Sequence, residues 1–451
     1  MSEEYPLTPL VSKYLKGELR FVYCAGGWFA FREKTGWVAC RLEEPEADVT
    51  RFLLREINVV SRDMVADFML YLRSLLWVEG DAALGVFLKP EGDRLKVSDA
   101  AGWISTRSHM VNVLTGETRL ADSGLFALGC VPCAFDPKAT CPQWERFVSE
   151  VCPDDGEGLQ KMFGLSLTFD RRFNVFFVAY GEAGTGKSTA LAVLAALNTG
   201  TVCGVSLGAF GERFQTFPLT IHRLNLVQDM DSVFEGAGSV SLRESVLKSL
   251  TCGEKIQVEQ KHVSPEYRRL TALSVFGCNK FPGFSDRSGA ISHRLRLLRF
   301  PNVFRGARAE KLNLAETLIR EELPGILNWS MSGYRSLVSE GGRVFPENAT
   351  AAAMKADFIK STRPEELFFD ECLESGSVTK LQEPTRNVYF HYDNWCRFRN
   401  YRPLAENTFS RRLLEYFPTV EKIRAVVGGS RVKVYLGIRV LPCIDSLVGL
   451  P

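Results

Sequence analysis

The segment from Gly181 to Ser188 constrains the fold of this chain more than any other stretch. It reads GEAGTGKS and matches the pattern G-x-x-x-x-G-K-[ST]. A continuous apolar run, residues 174–180, precedes it, and an almost uniformly apolar stretch, residues 188–197, follows it. A buried strand, a glycine-rich turn and a buried helix in this order predict a phosphate-binding loop within an α/β domain.

Each part of this loop has an expected role. The glycines let successive backbone N–H groups face a phosphate, and the helix N-terminus adds a partial positive charge. Lys187 is expected to reach the β- and γ-phosphates, and Ser188 is expected to bind Mg²⁺. ATP and Mg²⁺ are therefore the predicted ligands. The residues predicted to hold the nucleotide are Gly181, Gly184, Gly186, Lys187, Ser188 and Thr189.

Polar side chains follow two further apolar runs, residues 224–227 and 273–277. Asp229 and Asp231 follow the first run, and Asn279 follows the second. A carboxylate at the end of a strand beside the loop can hold the Mg²⁺ hydration shell or polarise the attacking water. Asp229 is the first choice as metal ligand and Asp231 the second. Asn279 is expected to contact the γ-phosphate or that water.

Arg294 lies fifteen residues after Asn279, in a basic segment that also contains Arg296 and Arg299. An arginine that reaches the γ-phosphate bound by a neighbouring subunit would stabilise the charge of the transition state. We assign this role to Arg294. Arg296 and Arg299 are expected to lie on a solvated basic strand.

The order of these motifs resembles the superfamily 3 helicases, and most closely the phage, plasmid and poxvirus-type primase-helicase ATPases. Residues 248–265 resemble the β-hairpin that projects into the channel of such a ring. Lys261 and His262 coincide with the pair that papillomavirus-type helicases use to grip single-stranded DNA. The resemblance implies an AAA+ core, a homohexamer and single-stranded DNA in a central channel.

The chain departs from the family pattern in two places. The family often has two adjacent acids after the second strand, whereas here Gln228 precedes Asp229. Either Asp229 or Asp231 can therefore be the metal ligand. The first 110 residues contain no convincing set of metal-binding acids, so we predict a motor without primase activity.

The last segment of the chain, residues 376–451, predicts two helices followed by two strands, which is the order of a winged helix. Residues 386–439 contain 11 basic and 4 acidic side chains, whereas the whole chain has a net charge of only +2. This local surplus predicts contact with the phosphates of duplex DNA, for example at a replication origin. A basic protein-docking face is the alternative. The candidate duplex-contacting residues are Arg411, Arg412, Arg431 and Lys433.

Composition agrees with a soluble globular protein, since 45% of the residues are hydrophobic and 24% are charged. No run approaches the roughly 18–20 apolar residues of a membrane span, and the start lacks the features of a signal peptide. We therefore expect a cytoplasmic protein that does not contact a membrane. A zinc site formed by four cysteines is disfavoured because their spacing is irregular. These are Cys130, Cys133, Cys141 and Cys152.

The predicted fold class is α/β, with an AAA+ core of the superfamily 3 type as the central part. The predicted domains are an N-terminal α+β domain of unknown role (1–110), a helical collar for oligomerisation (111–170), the ATPase domain (171–330), a helical linker (331–375) and a winged-helix-like DNA-binding domain (376–451). The predicted function is an ATP-dependent, ring-shaped replicative DNA helicase of a phage, plasmid or other mobile element. Two alternatives remain: a nucleotide-gated initiator that binds DNA without unwinding it, and a defence-type regulatory ATPase.

Overall fold

A computed structural model describes most of the chain, and its contacts divide it into two compact units. The first unit contains the described residues up to Ala352, and the second contains those from Ala353 onward. The described residues are 7–16, 19–57, 59–78, 85–91, 94–100, 102–230, 240–260, 263–279, 289–304, 313–342, 345–361, 363–376, 381–399, 401, 403–427 and 429–441.

The first unit combines helices with several small sheets and one central sheet. The helices of this part of the chain are α1 (Leu7–Leu15), α2 (Glu43–Glu56), α3 (Arg62–Leu75), α4 (Pro142–Val151), α5 (Gly156–Ser166), α6 (Lys187–Leu197), α7 (Val240–Cys252), α8 (Ala290–Arg294), α9 (Leu314–Ser339) and α10 (Ala349–Ser361), the last of which ends in the second unit. The strands are β1 (Phe21–Cys24), β2 (Gly27–Arg32), β3 (Gly36–Cys40), β4 (Trp77–Val78), β5 (Val86–Glu91), β6 (Arg94–Asp99), β7 (Trp103–Ser105), β8 (His109–Asn112), β9 (Thr118–Leu120), β10 (Leu125–Phe126), β11 (Phe176–Tyr180), β12 (Val202–Cys203), β13 (Leu224–Val227), β14 (Lys255–Gln260), β15 (Val263–Arg269), β16 (Leu273–Cys278) and β17 (Leu295–Arg299).

The central sheet has the order β12-β13-β16-β11-β17, and all of its neighbouring strands pair in parallel. Strand β16 is buried along its whole length, and β11 is buried up to its last residue. Parallel strands that are covered on both faces need continuous apolar runs, which is the pattern that the sequence shows. The strands predicted at residues 174–180, 224–227 and 273–277 and the helix predicted at 188–197 are confirmed.

Helices α4, α5 and α9 share one core with this sheet. The ring of Trp144 lies 5.2 Å from that of Phe163 and 5.5 Å from that of Trp329. The buried carboxylate of Glu322 accepts hydrogen bonds from the backbone N–H groups of Gln143 (3.1 Å) and Trp144 (2.9 Å). These are N–H groups at the start of α4 that have no partner within the helix. Helix α9 therefore fixes the start of α4.

The structure differs from the predicted helical collar. Residues 142–166 form two helices as expected, but β8, β9 and β10 occupy much of residues 109–126. The boundaries predicted after residues 110 and 330 fall inside β8 and α9, so the chain is not divided at those points. Both helices pack into the core of the central sheet, which buries their apolar faces.

The region before residue 110 has the predicted α+β content, with a sheet of order β3-β2-β1-β4 and helices α1 to α3. Its core also includes Phe126, Leu128 and Ile221. Ile221 directly follows the short 3₁₀ segment Phe217–Thr220, which precedes β13. The N-terminal region is therefore packed onto the body that carries the central sheet.

The second unit has an aromatic core in which Tyr392 stacks on Phe409, with ring centroids 4.3 Å apart. Its strands pair in the orders β19-β21-β20 and β18-β22. Two helices followed by an antiparallel ribbon confirm the predicted order of elements. Its elements are α11 (Pro364–Cys372), β18 (Leu373–Ser375), β19 (Gln382–Pro384), α12 (Thr385–Phe398), α13 (Glu406–Tyr416), β20 (Glu421–Val427), β21 (Ser430–Leu436) and β22 (Ile438–Val440).

Among the helices whose residues the structure describes, none combines the length and the apolarity needed to cross a bilayer.

Candidate functional site

A cleft of about 600 Å³ opens at the carboxyl edge of the central sheet, where β11, β13 and β16 end. In open parallel sheets, ligands bind at this edge. The cleft contains the last residues of the sequence motif and the polar residues that follow β13 and β16. Its lining residues are Gln143, Arg146, Phe147, Glu150, Val151, Ala183, Gly184, Thr185, Gly186, Lys187, Ser188, Thr189, Gln228, Asp229, Asn279, Phe304 and Leu314.

Gly186 forms the turn from the loop into α6. Its φ of +87° lies in the left-handed region, which a side chain disfavours. A Cβ at this position would also lie 2.7 Å from Cγ1 of Val151 on α4. The start of α6 therefore lies close to α4 and lines the cleft, and the N-terminus of a helix can bind a phosphate.

Lys187 is buried, and its ammonium group lies inside the loop. Its Nζ donates hydrogen bonds to the carbonyls of Gly181 and Glu182 and, at 3.1 Å, to Oδ1 of Asn279. The structure thus brings together the lysine and the amide that the sequence predicts for phosphate contact. A bound phosphate would have to replace carbonyl oxygens as the acceptor of this lysine.

Ser188, Thr189 and Asp229 line the same cleft, and Asp229 is exposed. A hydroxyl and a carboxylate at this position are oxygen ligands of the kind that Mg²⁺ prefers. Ser188 and Asp229 are therefore the described residues that could hold the metal. Asp231, the second choice, lies outside the described residues.

Helix α4 contributes a wall of the cleft that the sequence did not predict. Phe147 and Val151 supply apolar surface, and the exposed residues Arg146 and Glu150 lie beside it. Such a wall suits the flat base of a nucleotide. The sequence signal was only an amphipathic helix with a proline in its first turn, which does not reveal what the helix covers.

Arg294 lies at the opposite edge of the sheet from this cleft. It ends α8 and directly precedes β17, where it donates to the carbonyl of Ala290 (2.9 Å) and to Sγ of Cys252 (3.2 Å). The register pairs Phe176 with Leu295, the next residue after Arg294, so Arg294 stands level with the start of β11. The loop that follows β11 is about five residues further along the strand, or roughly 16 Å.

The other two arginines of this segment differ from each other. Arg296 is buried and forms an ion pair of 2.6 Å with Asp155, so the expectation of a solvated side chain was wrong for it. It is buried because β17 is covered by its neighbours, and the carboxylate of Asp155 compensates the buried charge. Arg299 is exposed, as expected.

Strands β14 and β15 form the predicted antiparallel hairpin. Gln260 ends the first strand and Val263 begins the second. Lys261 and His262, the predicted contacts for single-stranded DNA, lie between them in sequence and outside the described residues.

The antiparallel ribbon formed by β20 and β21 in the second unit has one basic face. Arg424 lies opposite Lys433, and Val426 lies opposite Arg431, so these side chains share a face of the ribbon. Lys422, next on the same face, has a lowered pKa because of burial and the nearby charge of Lys433. The face therefore concentrates positive charge.

The two arginines predicted on α13 have different surroundings. Arg411 is 64% exposed and Arg412 only 21% exposed, and they lie 3.8 Å and 3.4 Å from the carboxylate of Glu415. Arg411 is therefore more accessible to a nucleic acid than Arg412. Together with Arg431 and Lys433, it remains a candidate contact.

The four cysteines considered for zinc are buried. Burial raises the pKa of the Cys141 and Cys152 thiols to about 12. Within the ranges that the structure describes, no three His, Cys, Asp or Glu side chains are grouped so as to hold a metal ion. The zinc alternative gains no support.

Comparison with known families gives two partial matches. The model of a family of unknown function (DUF5906) matches residues 179–294, and a model described as Poxvirus D5 protein-like matches residues 357–440. The second match agrees with the poxvirus-type branch of the resemblance. No curated protein matches the chain.

Several solved structures are similar to the chain. The A-form apo structure of the NrS-1 C-terminal region has a TM-score of 0.51 at 8% identity and covers 96% of this chain and 100% of that one. The apo structure of the NrS-1 C-terminal region (305–718) has a TM-score of 0.50 at 9% identity, with the same coverage. At such low identity, the similarity concerns the fold alone.

Proposed function

We propose that this chain is an ATP-dependent DNA helicase that works as a ring, of six subunits by the family resemblance, in the replication of a phage, plasmid or other mobile element. The observation that carries the proposal is the convergence of Lys187, Ser188, Asp229 and Asn279 in one cleft. The match to the poxvirus D5-like family supports the same class of protein.

The cleft would hold MgATP, with its phosphates on the N-terminus of α6. Lys187 would neutralise charge on the β- and γ-phosphates, and Ser188 and Asp229 would hold Mg²⁺ directly or through water. Asn279 would orient the attacking water or the γ-phosphate. Asp231 stays a second candidate for the metal or for positioning the water.

The position of Arg294 favours a shared active site. An arginine side chain cannot span the roughly 16 Å of strand that separates Arg294 from the loop of its own chain. It would reach a triphosphate only on a neighbouring copy, in a head-to-tail ring. Nucleotide hydrolysis would then act at a boundary between subunits, and movement of this boundary would displace the hairpin of β14 and β15.

The hairpin gives such a ring its substrate. Lys261 and His262 would contact the phosphates of a single strand, which carry no sequence information, so the motor could follow any strand. The basic face of the ribbon in the second unit, with Arg411 beside it in the same unit, would bind duplex DNA. Such contacts would make the chain a nucleic-acid motor rather than a nucleotide-binding scaffold.

The test is unwinding of a forked DNA with ATP and Mg²⁺. We expect the wild type to separate the strands, and we expect Lys187→Ala to lower ATP hydrolysis by about 10²–10³-fold and to abolish unwinding. Lys261→Ala should hydrolyse ATP and fail to unwind. A wild-type protein that hydrolyses ATP and binds DNA but never separates strands would instead support the initiator or regulatory ATPase.

A further inference from the structure

The hairpin of β14 and β15 has two faces of different character. Residues directly opposite each other in an antiparallel pair lie on the same face. The pairs Ile256–Arg268 and Val258–Glu266 therefore form one face, which we call the inner face. The outer face consists of the pairs Lys255–Arg269 and Gln257–Tyr267.

The inner face is held by the body of the first unit. Val258 is 1% exposed, and Arg268, 7% exposed, places its guanidinium over the ring of Phe217 at 5.7 Å. Beyond a bulge, Nε2 of Gln260 donates to the carbonyl of Ala25 in the turn between β1 and β2, at 3.2 Å. Burial of the inner face fixes which side chains the hairpin presents outward.

The outer face presents a large aromatic side chain. Tyr267 is 71% exposed, the highest value among the aromatic residues that the structure describes as exposed. Within the described residues, its ring makes no contact with another aromatic ring and no hydrogen bond. Exposure of a ring of this size has no benefit for folding, because its apolar surface stays in water.

Two cations adjoin this ring. Lys255 and Arg269 are exposed and face each other across the hairpin, one pair further along from Tyr267. Glu259, which lies further along β14, forms an ion pair of 2.7 Å with Arg213. This pairing weakens the repulsion between Glu259 and an anion on the hairpin.

The positive charge continues beyond the hairpin. Arg269 also lines a cleft of about 570 Å³ together with Arg171, Arg172 and Phe173. Arg172 forms an ion pair with Asp170, and burial lowers the pKa of Arg171 to about 9, so both remain charged near neutral pH. Arg269 therefore connects the outer face to a cleft with two further arginines, of which Arg172 is paired with Asp170 and Arg171 donates to backbone carbonyls.

An exposed ring next to exposed cations is an arrangement that binds single strands without regard to sequence. Same-face neighbours on a strand are about 7 Å apart, so the ring and the cations can contact one nucleotide and the next. We propose that the outer face of the hairpin binds single-stranded nucleic acid, with Tyr267 stacking on a base and with Lys255 and Arg269 contacting the adjacent phosphates. This proposal rests on the proposed function, which supplies the class of ligand.

The test measures binding of the full chain to a fluorescent oligonucleotide of thymidines, without ATP. We expect Tyr267→Ala and Tyr267→Leu to weaken binding by roughly 5- to 150-fold, and Tyr267→Phe to bind like the wild type, because stacking needs the ring and not the hydroxyl. Phe390→Ala, which removes a 53% exposed ring from α12, is the matched control and should have no effect.

Salt dependence separates the two kinds of contact. Arg269→Ala should reduce the slope of log affinity against log salt by about 0.7, the value for one phosphate contact to a single strand. Tyr267→Ala should leave that slope unchanged. Equal binding of Tyr267→Ala and wild type, or a wild type that does not bind the oligonucleotide, overturns the proposal.

A change in assembly is the remaining outcome that overturns it. If Tyr267→Ala alters the sedimentation of the protein without DNA, the aromatic side chain of Tyr267 contacts a second copy of the chain and not a base. Failure of the proposed function would be a different result. If the wild type binds the oligonucleotide through Tyr267 but neither hydrolyses ATP nor unwinds a fork, the binding proposal holds and the helicase proposal is refuted.

Discussion

At the scale of single residues, the candidate site depends on glycine, whose missing side chain lets another backbone segment pass close by. Gly277 in β16 shows this best, because a Cβ there would collide with the carbonyl oxygen of Gln228 and lie 3.1 Å from Cδ1 of Leu191. The chain after β13 passes over this glycine, and the N–H of Met230 donates to the carbonyl of Gly277 at 2.9 Å. This contact positions Gln228 and Asp229 at the edge of the cleft.

Gly277→Ala should lower the free energy of unfolding by about 1–3 kcal/mol, because the extra carbon must displace backbone in a well-packed region. Urea unfolding followed by tryptophan fluorescence measures this change. Gly204→Ala is the control, since its Cβ would be 3.5 Å from the nearest atom and should change stability little. Equal stability of the two variants would contradict the close approach.

A second residue, His222, makes stability depend on pH. Its Nδ1 lies 2.8 Å from the carbonyl of Pro218, which can only accept, so Nδ1 carries the proton of the neutral ring. Burial lowers the pKa of His222 below its ordinary 6.5. Protonation is therefore easier in the unfolded chain, and the folded state loses stability as pH falls below about 6.5.

In the wild type, the contribution of His222 should fall by up to about 1.4 kcal/mol per pH unit below pH 6.5, until the folded-state pKa is reached. His222→Asn keeps a donor toward Pro218 and cannot titrate. The difference in urea unfolding free energy between the two proteins should therefore shift in favour of the variant from pH 7.5 to pH 5.5. A constant difference across this range would exclude the role of His222.

At the scale of elements, tertiary partners decide what a helix or ribbon does. Helix α4 begins under the carboxylate of Glu322 and places Phe147 and Val151 against the cleft, although its own sequence indicates only an amphipathic helix. The ribbon of β20 and β21 shows the converse, because its residue alternation alone places Arg424, Arg431 and Lys433 on one face.

The basic face of this ribbon should bind duplex DNA through phosphates. Replacing Arg431 and Lys433 by alanine should weaken duplex binding and reduce the salt slope by up to about 0.9 for each phosphate that is no longer neutralised. Arg397→Ala is the control, because Arg397 is an exposed arginine of the same unit that is paired with Asp393. Fluorescence anisotropy with a short duplex measures both quantities. An unchanged slope in the double variant would favour the protein-docking alternative.

At the scale of the whole molecule, the central sheet separates the two halves of the proposed active site. The loop follows β11 at one edge, and Arg294 precedes β17 at the other. Under the proposed function, a single copy would present its nucleotide cleft and its Arg294 to different neighbours, as a head-to-tail ring allows.

Mixing two inactive variants tests this assembly. Arg294→Ala should lose about 10³–10⁵-fold in ATP hydrolysis and still bind the nucleotide, whereas Lys187→Ala loses the phosphate contact. In rings formed from equal amounts, about a quarter of the boundaries join an intact loop to an intact Arg294, so hydrolysis should return to about a quarter of wild type. If the mixture has only the residual activity of its components, Arg294 acts within its own chain or not at all.

The sequence alone determined the local elements of the central sheet and the candidate residues at its carboxyl edge. It could do so because apolar runs of strand length and a glycine-rich turn have few alternative conformations, and because parallel strands bring the residues that follow them to one edge. Lys187, Asp229 and Asn279 could therefore be identified before the fold was known.

Only the tertiary structure decided which surfaces are covered. It buried Arg296 against Asp155, packed the predicted collar into the core of the sheet, brought α4 to the cleft and left Tyr267 outward on the hairpin. Each of these depends on contacts between residues far apart in the chain. Local propensity and periodicity do not encode such contacts, because the same amphipathic pattern fits any partner of suitable size.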